Sequence, residues 1–129
     1  MKIKNQAFVV LLICGMFLFL KYIAQLFPSL ISTVLIEQYQ MNGVEIGILA
    51  SSYYYSYTLM QIVSGVVLDR YSLRITSFLA IFTIALGLII FPNTHSFWSM
   101  CASRIMMGIG CSFATTLYIK AATIWTSSK

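Results

Sequence analysis

Four runs of mostly apolar residues, over about 8–35, 46–68, 75–91 and 97–125, occupy most of this chain and leave only short polar joints between them. A helix needs about 20 such residues to cross a ~30 Å hydrocarbon core, and each run is near that length. The chain is 60% hydrophobic and 9% charged, whereas a soluble domain carries about 25% charged residues. What remains cannot build a water-facing surface, so a soluble enzyme is the first class to fall. The reading left is an all-α, polytopic membrane protein. Its 129 residues limit it to four transmembrane helices at about 20 residues each plus loops.

The N-terminus, Met1-Lys2-Ile3-Lys4, followed by an apolar run, has the look of a signal peptide. No A-x-A cleavage pattern follows, and the apolar character continues past Lys21, so the segment reads as an uncleaved first helix over 8–35. At 1.5 Å per residue it is about 40 Å long, which predicts a tilt, and Pro28 offers a place to kink. The second helix is expected over 44–68, with Gly43 and Gly47 at a spacing that favours close helix approach. The third, over 75–91, stops at Pro92-Asn93-Thr94, a proline without a backbone donor beside a turn former. The fourth covers 97–125. Together they make one domain over 1–129.

Lysine and arginine in short loops mark the cytoplasmic side. With four spans, Lys2, Lys4, Arg70, Arg74 and Lys129 fall on one side, and the loops holding Glu37, Glu45 and His95 carry no lysine or arginine. This places both termini in the cytoplasm of a multi-pass protein of the cell (inner) membrane. The net charge of +5 is scattered singly through apolar runs, without the basic patch that tracks phosphates, so nucleic acid is not an expected partner. Cys14, Cys101 and Cys111 lie inside apolar segments and read as packed thiols. No metal spacing, nucleophile–base pattern or cofactor motif is present, and His95 stands alone.

Three basic residues remain inside the apolar runs: Lys21, Arg104 and Lys120. A cation at a span centre costs about 2.5–3.5 kcal/mol on insertion scales, so each needs a reason. Lys21 lies roughly 20 Å in from the cytoplasmic start of its helix and Arg104 roughly 10 Å in from the outer start of its own, which are similar depths. Two cations at one level suggest the walls of a polar cavity; the alternative is snorkelling or pairing with helix carbonyls. Lys21 shares a helix face with Gln25, Pro28 and Ser32, and Arg104 with Gly108, Cys111, Thr115 and Tyr118. Lys120, roughly 34 Å from Phe97, reads as an inner-interface snorkeller. On the second helix Tyr53, Tyr57, Gln61 and Ser64 fall on one face, as cavity lining or as part of an aromatic belt that includes Tyr54 and Tyr55.

The loop after the second helix reads Gly65-Val66-Val67-Leu68-Asp69-Arg70-Tyr71-Ser72-Leu73-Arg74. It resembles the G-x-x-x-D-R-x-G-x-R/K signature of the major facilitator superfamily, found in that family's cytoplasmic loop between helices two and three. Gly65, Asp69, Arg70 and Arg74 match; Ser72 replaces the second glycine and tolerates positive φ poorly. Arg104-Ile105-Met106-Met107-Gly108-Ile109-Gly110 is similar to the family's fourth-helix pattern R-x-x-x-G-x-G. The likeness extends over nearly the whole chain, as the first four helices of a twelve-helix fold.

That resemblance implies a secondary active transporter working by alternating access, driven by a proton or another ion or by the solute itself. It implies that Asp69 latches onto a helix of the opposite half, that Arg70 and Arg74 are its charge partners, and that Gly65 is the close-packing point. Lys21, Gln25, Tyr53, Tyr57, Gln61, Arg104 and Thr115 are the candidate substrate or coupling cavity. Two cations without a membrane-embedded acid point to a small anionic or zwitterionic solute. At about four spans the chain is expected to be a truncated portion that needs the missing C-terminal helices or a partner chain. Two alternatives are a non-transporting product and a small four-helix protein working as an oligomer.

Overall fold

The computed structural model describes residues 2–127, with the side chains of Ile3 and Pro28 left aside. Lys129, one of the cations counted above for sidedness, lies outside the described residues. Five helices follow in order: α1 (Lys2–Leu30), α2 (Ser32–Tyr39), α3 (Gly43–Arg70), α4 (Leu73–Asn93) and α5 (Phe97–Ser127). Among the described residues, three segments are long and apolar enough to cross a membrane: Lys4–Phe27 in α1, Leu73–Asn93 and Phe97–Ser127. Helix α3 is 28 residues long, but its serines, four tyrosines and Gln61 lower its hydropathy.

The first long helix expected over 8–35 is two helices. Pro28 supplies no N–H to the turn before it, and α1 ends at Leu30, two residues later. Ile31, with φ −106° and ψ 13°, joins it to α2. Ser32 opens α2, and its hydroxyl donates to the Ser29 carbonyl at 3.1 Å. Helix α2 closes at Gln40, which has a left-handed φ of 52°.

The start of α3 is set by a capping box. The Asn42 side chain accepts from the Glu45 N–H at 2.9 Å, and the Glu45 carboxylate accepts from the Asn42 N–H at 3.0 Å, so two orphan donors are met reciprocally. Helix α4 begins after Ser72, whose φ of −61° is ordinary for any residue. The missing glycine is therefore no obstacle to this turn. At its other end α4 runs through Pro92 to Asn93, two residues past the expected stop. The Asn93 side-chain amide donates to the Ile89 carbonyl at 2.7 Å and completes that last turn.

Helix α5 is the centre of the bundle and packs against α3, α4 and α1. Its buried face includes Met100, Met107, Cys111 and Ala114, which meet Phe17 and Ala24 of α1, Leu49 and Tyr53 of α3, and Ile84 and Phe91 of α4. Glycines set these distances. A Cβ on Gly108 would meet the Tyr53 carbonyl oxygen at 2.6 Å and the Ser56 hydroxyl, both on α3. A Cβ on Gly110 would meet the Ala80 carbonyl oxygen of α4 at 2.8 Å, and one on Gly87 the Ser103 carbonyl oxygen of α5 at 2.9 Å. Gly43, Gly47 and Gly65 face open space. The close approach expected at Gly43 and Gly47 is therefore absent among the described residues and lies at Gly87, Gly108 and Gly110 instead. All three cysteines are buried and free.

Candidate functional site

The R-x-x-x-G-x-G segment places Arg104 one turn before Gly108, on the side of α5 that faces α1 and α3. Its guanidinium is fully buried, at 0% exposure. Nη1 donates to the Ala24 carbonyl of α1 at 2.6 Å and lies 3.6 Å from the Met107 sulfur, while Nη2 reaches the Gln25 carbonyl at 3.5 Å. The guanidinium carbon sits 4.7 Å from the ring centre of Tyr53, a cation–π contact that is stronger when water is excluded. Nε has no partner among the described residues, and the buried Tyr53 hydroxyl makes no hydrogen bond of normal geometry, although it interacts with the Cys111 thiol. The contacts of the guanidinium are thus two helix carbonyls and a ring, with no carboxylate beside it among the described residues.

Lys21, on α1 one turn before Ala24–Gln25, is 7% exposed. Its ammonium lies 4.7 Å from the ring centres of both Tyr22 and Tyr57. No oxygen or carboxylate of the described residues accepts from it. Tyr57 stacks on Tyr53 with ring centres 6.0 Å apart, and its hydroxyl is 2.9 Å from the Thr115 hydroxyl of α5. The Gln25 amide donates to the Tyr54 hydroxyl at 3.0 Å. Lys21, Gln25, Tyr53, Tyr57, Arg104 and Thr115 are thus gathered where α1, α3 and α5 meet. Gln61 is half-buried one turn below Tyr57, and its side chain makes no hydrogen bond among the described residues.

The face of Tyr53, Tyr57, Gln61 and Ser64 is the face of α3 that meets α5. Ser64 is fully buried there and its hydroxyl is 2.8 Å from that of Thr116. Thr116 escaped the sequence reading, because a threonine in an apolar run satisfies its own backbone as often as it pairs across helices.

At the other end of α3, Lys120 of α5 was read as a snorkeller and is more than that. Its ammonium donates to Asp69 at 2.8 Å and to the Leu68 carbonyl. Asp69, 77% exposed, is therefore held within its own bundle, whereas Arg70 and Arg74 are exposed and form no ion pair among the described residues. Gly65 does not approach another helix here. The signal for Lys120 was its depth: a cation on α5 level with the 69–74 loop lies opposite the carbonyls that end α3.

The arrangement therefore has two parts, a polar cluster in mid-bundle around two cations and an ion pair at the loop, joined by a helix whose glycines set the packing. No curated protein and no solved structure matches the chain. The family model described as Major Facilitator Superfamily matches residues 7–129, a stretch that takes in the cluster, the loop and all of the described part of α5. Members of that family are membrane transporters and not enzymes. With the match running over all but the first six residues, the chain belongs to the Major Facilitator Superfamily.

Proposed function

We propose that the chain works as part of a secondary active transporter that moves a small anionic or zwitterionic solute by alternating access, coupled to a proton or another ion. The observation that carries the reading is the cluster where α1, α3 and α5 meet. Lys21 and Arg104 are both buried there, on facing helices, and the acids of the described helices, Glu37, Glu45 and Asp69, lie at helix ends. Two buried cations with no carboxylate beside them favour an anion or carboxylate at the cluster. Lys21, Gln25, Tyr57, Gln61 and Thr115 form the polar wall of the proposed path, with Arg104 and Tyr53 behind it.

In this reading α3 is a fourth crossing, its tyrosines and serines covered by α5 and by the solute path rather than by lipid. The four crossings correspond to the first four of the family's twelve, both termini lie in the cytoplasm and the membrane is the cell's inner one. Asp69, with Arg70, Arg74 and Gly65, is the conformational latch, and Asp69 exchanges between Lys120 and a helix of the opposite half. A carboxylate at a helix N-terminus gains about 0.3–1 kcal/mol at an exposed position, enough to bias a two-state equilibrium. The test is uptake of labelled carboxylates and amino acids by cells expressing the protein with its natural neighbouring helices, with and without a pH gradient. Uptake that is unchanged in both Lys21→Ala and Arg104→Ala overturns the cluster as the solute path.

A further inference from the structure

The two buried cations are not equivalent. Arg104 has acceptors on α1 for two of its three nitrogens, the Ala24 and Gln25 carbonyls. Pro28 has no N–H, so the Ala24 carbonyl lacks the donor that a helix normally brings from four residues on. Arg104 Nη1 supplies it, at 2.6 Å. The guanidinium thereby ties α5 to α1 at the turn the proline leaves open, with Tyr53 covering its face.

Lys21 has no such account. Its three N–H donors meet two ring faces, Tyr22 and Tyr57, and no hydrogen-bond acceptor among the described residues. Among the described residues, the sealed polar side-chain atoms without a hydrogen bond of normal geometry are Tyr53 Oη and Arg104 Nε. Lys21 Nζ is outside that set, so the tip of this otherwise buried chain keeps a reachable surface. A lysine inside a span is costly to insert, and ring faces return only part of that cost. An ammonium fixed between two rings, with its donors unfilled, is a prepared seat for an oxyanion.

We infer that Lys21 is the residue that takes the carboxylate of the solute, and that Arg104 is the tether holding α1 so that Lys21 is presented. This deepens the transport reading given above and rests on it. Tyr22 and Tyr57 hold the ammonium in place and offer their rings to the carbon body beside the carboxylate. The Tyr57 hydroxyl, at 2.9 Å from Thr115, fixes that ring to α5. The role is shared by any carboxylate, whether the solute is an anion or a zwitterion.

The experiment is thermal unfolding of the purified protein in detergent, with sodium acetate, lactate or benzoate as probes and sodium chloride at equal ionic strength as control. At least one carboxylate is expected to raise the melting temperature of the wild type. Lys21→Met loses that rise, Lys21→Arg recovers it, and Arg104→Lys keeps it from a lower starting melting temperature. Without any probe, Lys21→Met melts at or above the wild type, because an unpaired buried charge has been replaced by a chain of similar shape. A carboxylate rise that survives in Lys21→Met overturns the inference and leaves the transport reading standing. Absence of a rise with every carboxylate overturns the inference, and a rise for a cationic probe such as choline in its place overturns the anionic-solute reading as well. If Arg104→Lys does not fold, the two Lys21 variants decide alone, since neither removes a hydrogen bond of the bundle.

Discussion

Arg104 donates to the carbonyl oxygen of Ala24 at 2.6 Å, across a helix interface and four residues before a proline that cannot serve that oxygen. The pair explains why a guanidinium is buried at the centre of an apolar bundle. It also explains why α1 tolerates Pro28: the helix defect and its remedy lie on different helices. A hydrogen bond from a charged donor contributes about 1.5–3 kcal/mol, so Arg104→Met is expected to destabilise the bundle by at least that much. Pro28→Ala restores an N–H to the Ala24 carbonyl and should weaken the dependence on Arg104. A double-mutant cycle by detergent unfolding is expected to give a coupling of about 1 kcal/mol or more; additive effects would sink the pairing.

Glycine positions separate into two groups. Gly108→Ala and Gly110→Ala each push a methyl group into the backbone of a neighbouring helix and should cost about 1–3 kcal/mol, as overpacking does. Gly47→Ala and Gly65→Ala place the methyl in open space and should be neutral or stabilising by up to about 1 kcal/mol, the helix-propensity difference. Melting temperatures of the four variants in one detergent check the ranking.

The Lys120–Asp69 pair is partly exposed, at 27% and 77%, so its direct coupling should be below about 1 kcal/mol and should fade at high salt. Lys120→Met also removes the donor to the Leu68 carbonyl and is expected to destabilise more than Asp69→Asn. Unfolding of both single variants and the double variant at low and high salt tests the order. A larger loss in Asp69→Asn would show that the carboxylate, not the end of α3, is what Lys120 serves.

Asn42→Ala removes the side-chain acceptor for the Glu45 N–H and should cost about 1 kcal/mol. The loss should be local, seen as faster hydrogen exchange in the first turn of α3 with little change in α5. Asn42→Asp keeps the acceptor and should behave as the wild type does.

Much of the helix pattern was legible because it follows from composition and spacing. Apolar runs of span length force helices, and Arg104 with Gly108 and Gly110 marked the fourth of them before any contact was known. Local rules failed at the helix ends. Pro28 suggested a kink inside one long helix, and the chain instead ends α1 at Leu30 and restarts at Ser32. Pro92 suggested a stop, and the Asn93 side chain carries α4 past it. Ser72 lacks glycine's freedom, and its φ of −61° requires none.

The residues of the cluster were also visible singly, as polar groups at similar depth in apolar runs. Their partners were not. Sequence spacing assigns a side chain to a face of its own helix and says nothing about which oxygen, ring or cation stands opposite. The sequence by itself therefore determined that this chain is a bundle of membrane helices with cations held inside it. Only the tertiary structure decided that Arg104 serves the carbonyl Pro28 leaves open, that Lys120 serves the end of α3, and that Lys21 is left between two rings without an acceptor, because those relationships depend on the distances at which α1, α3 and α5 meet.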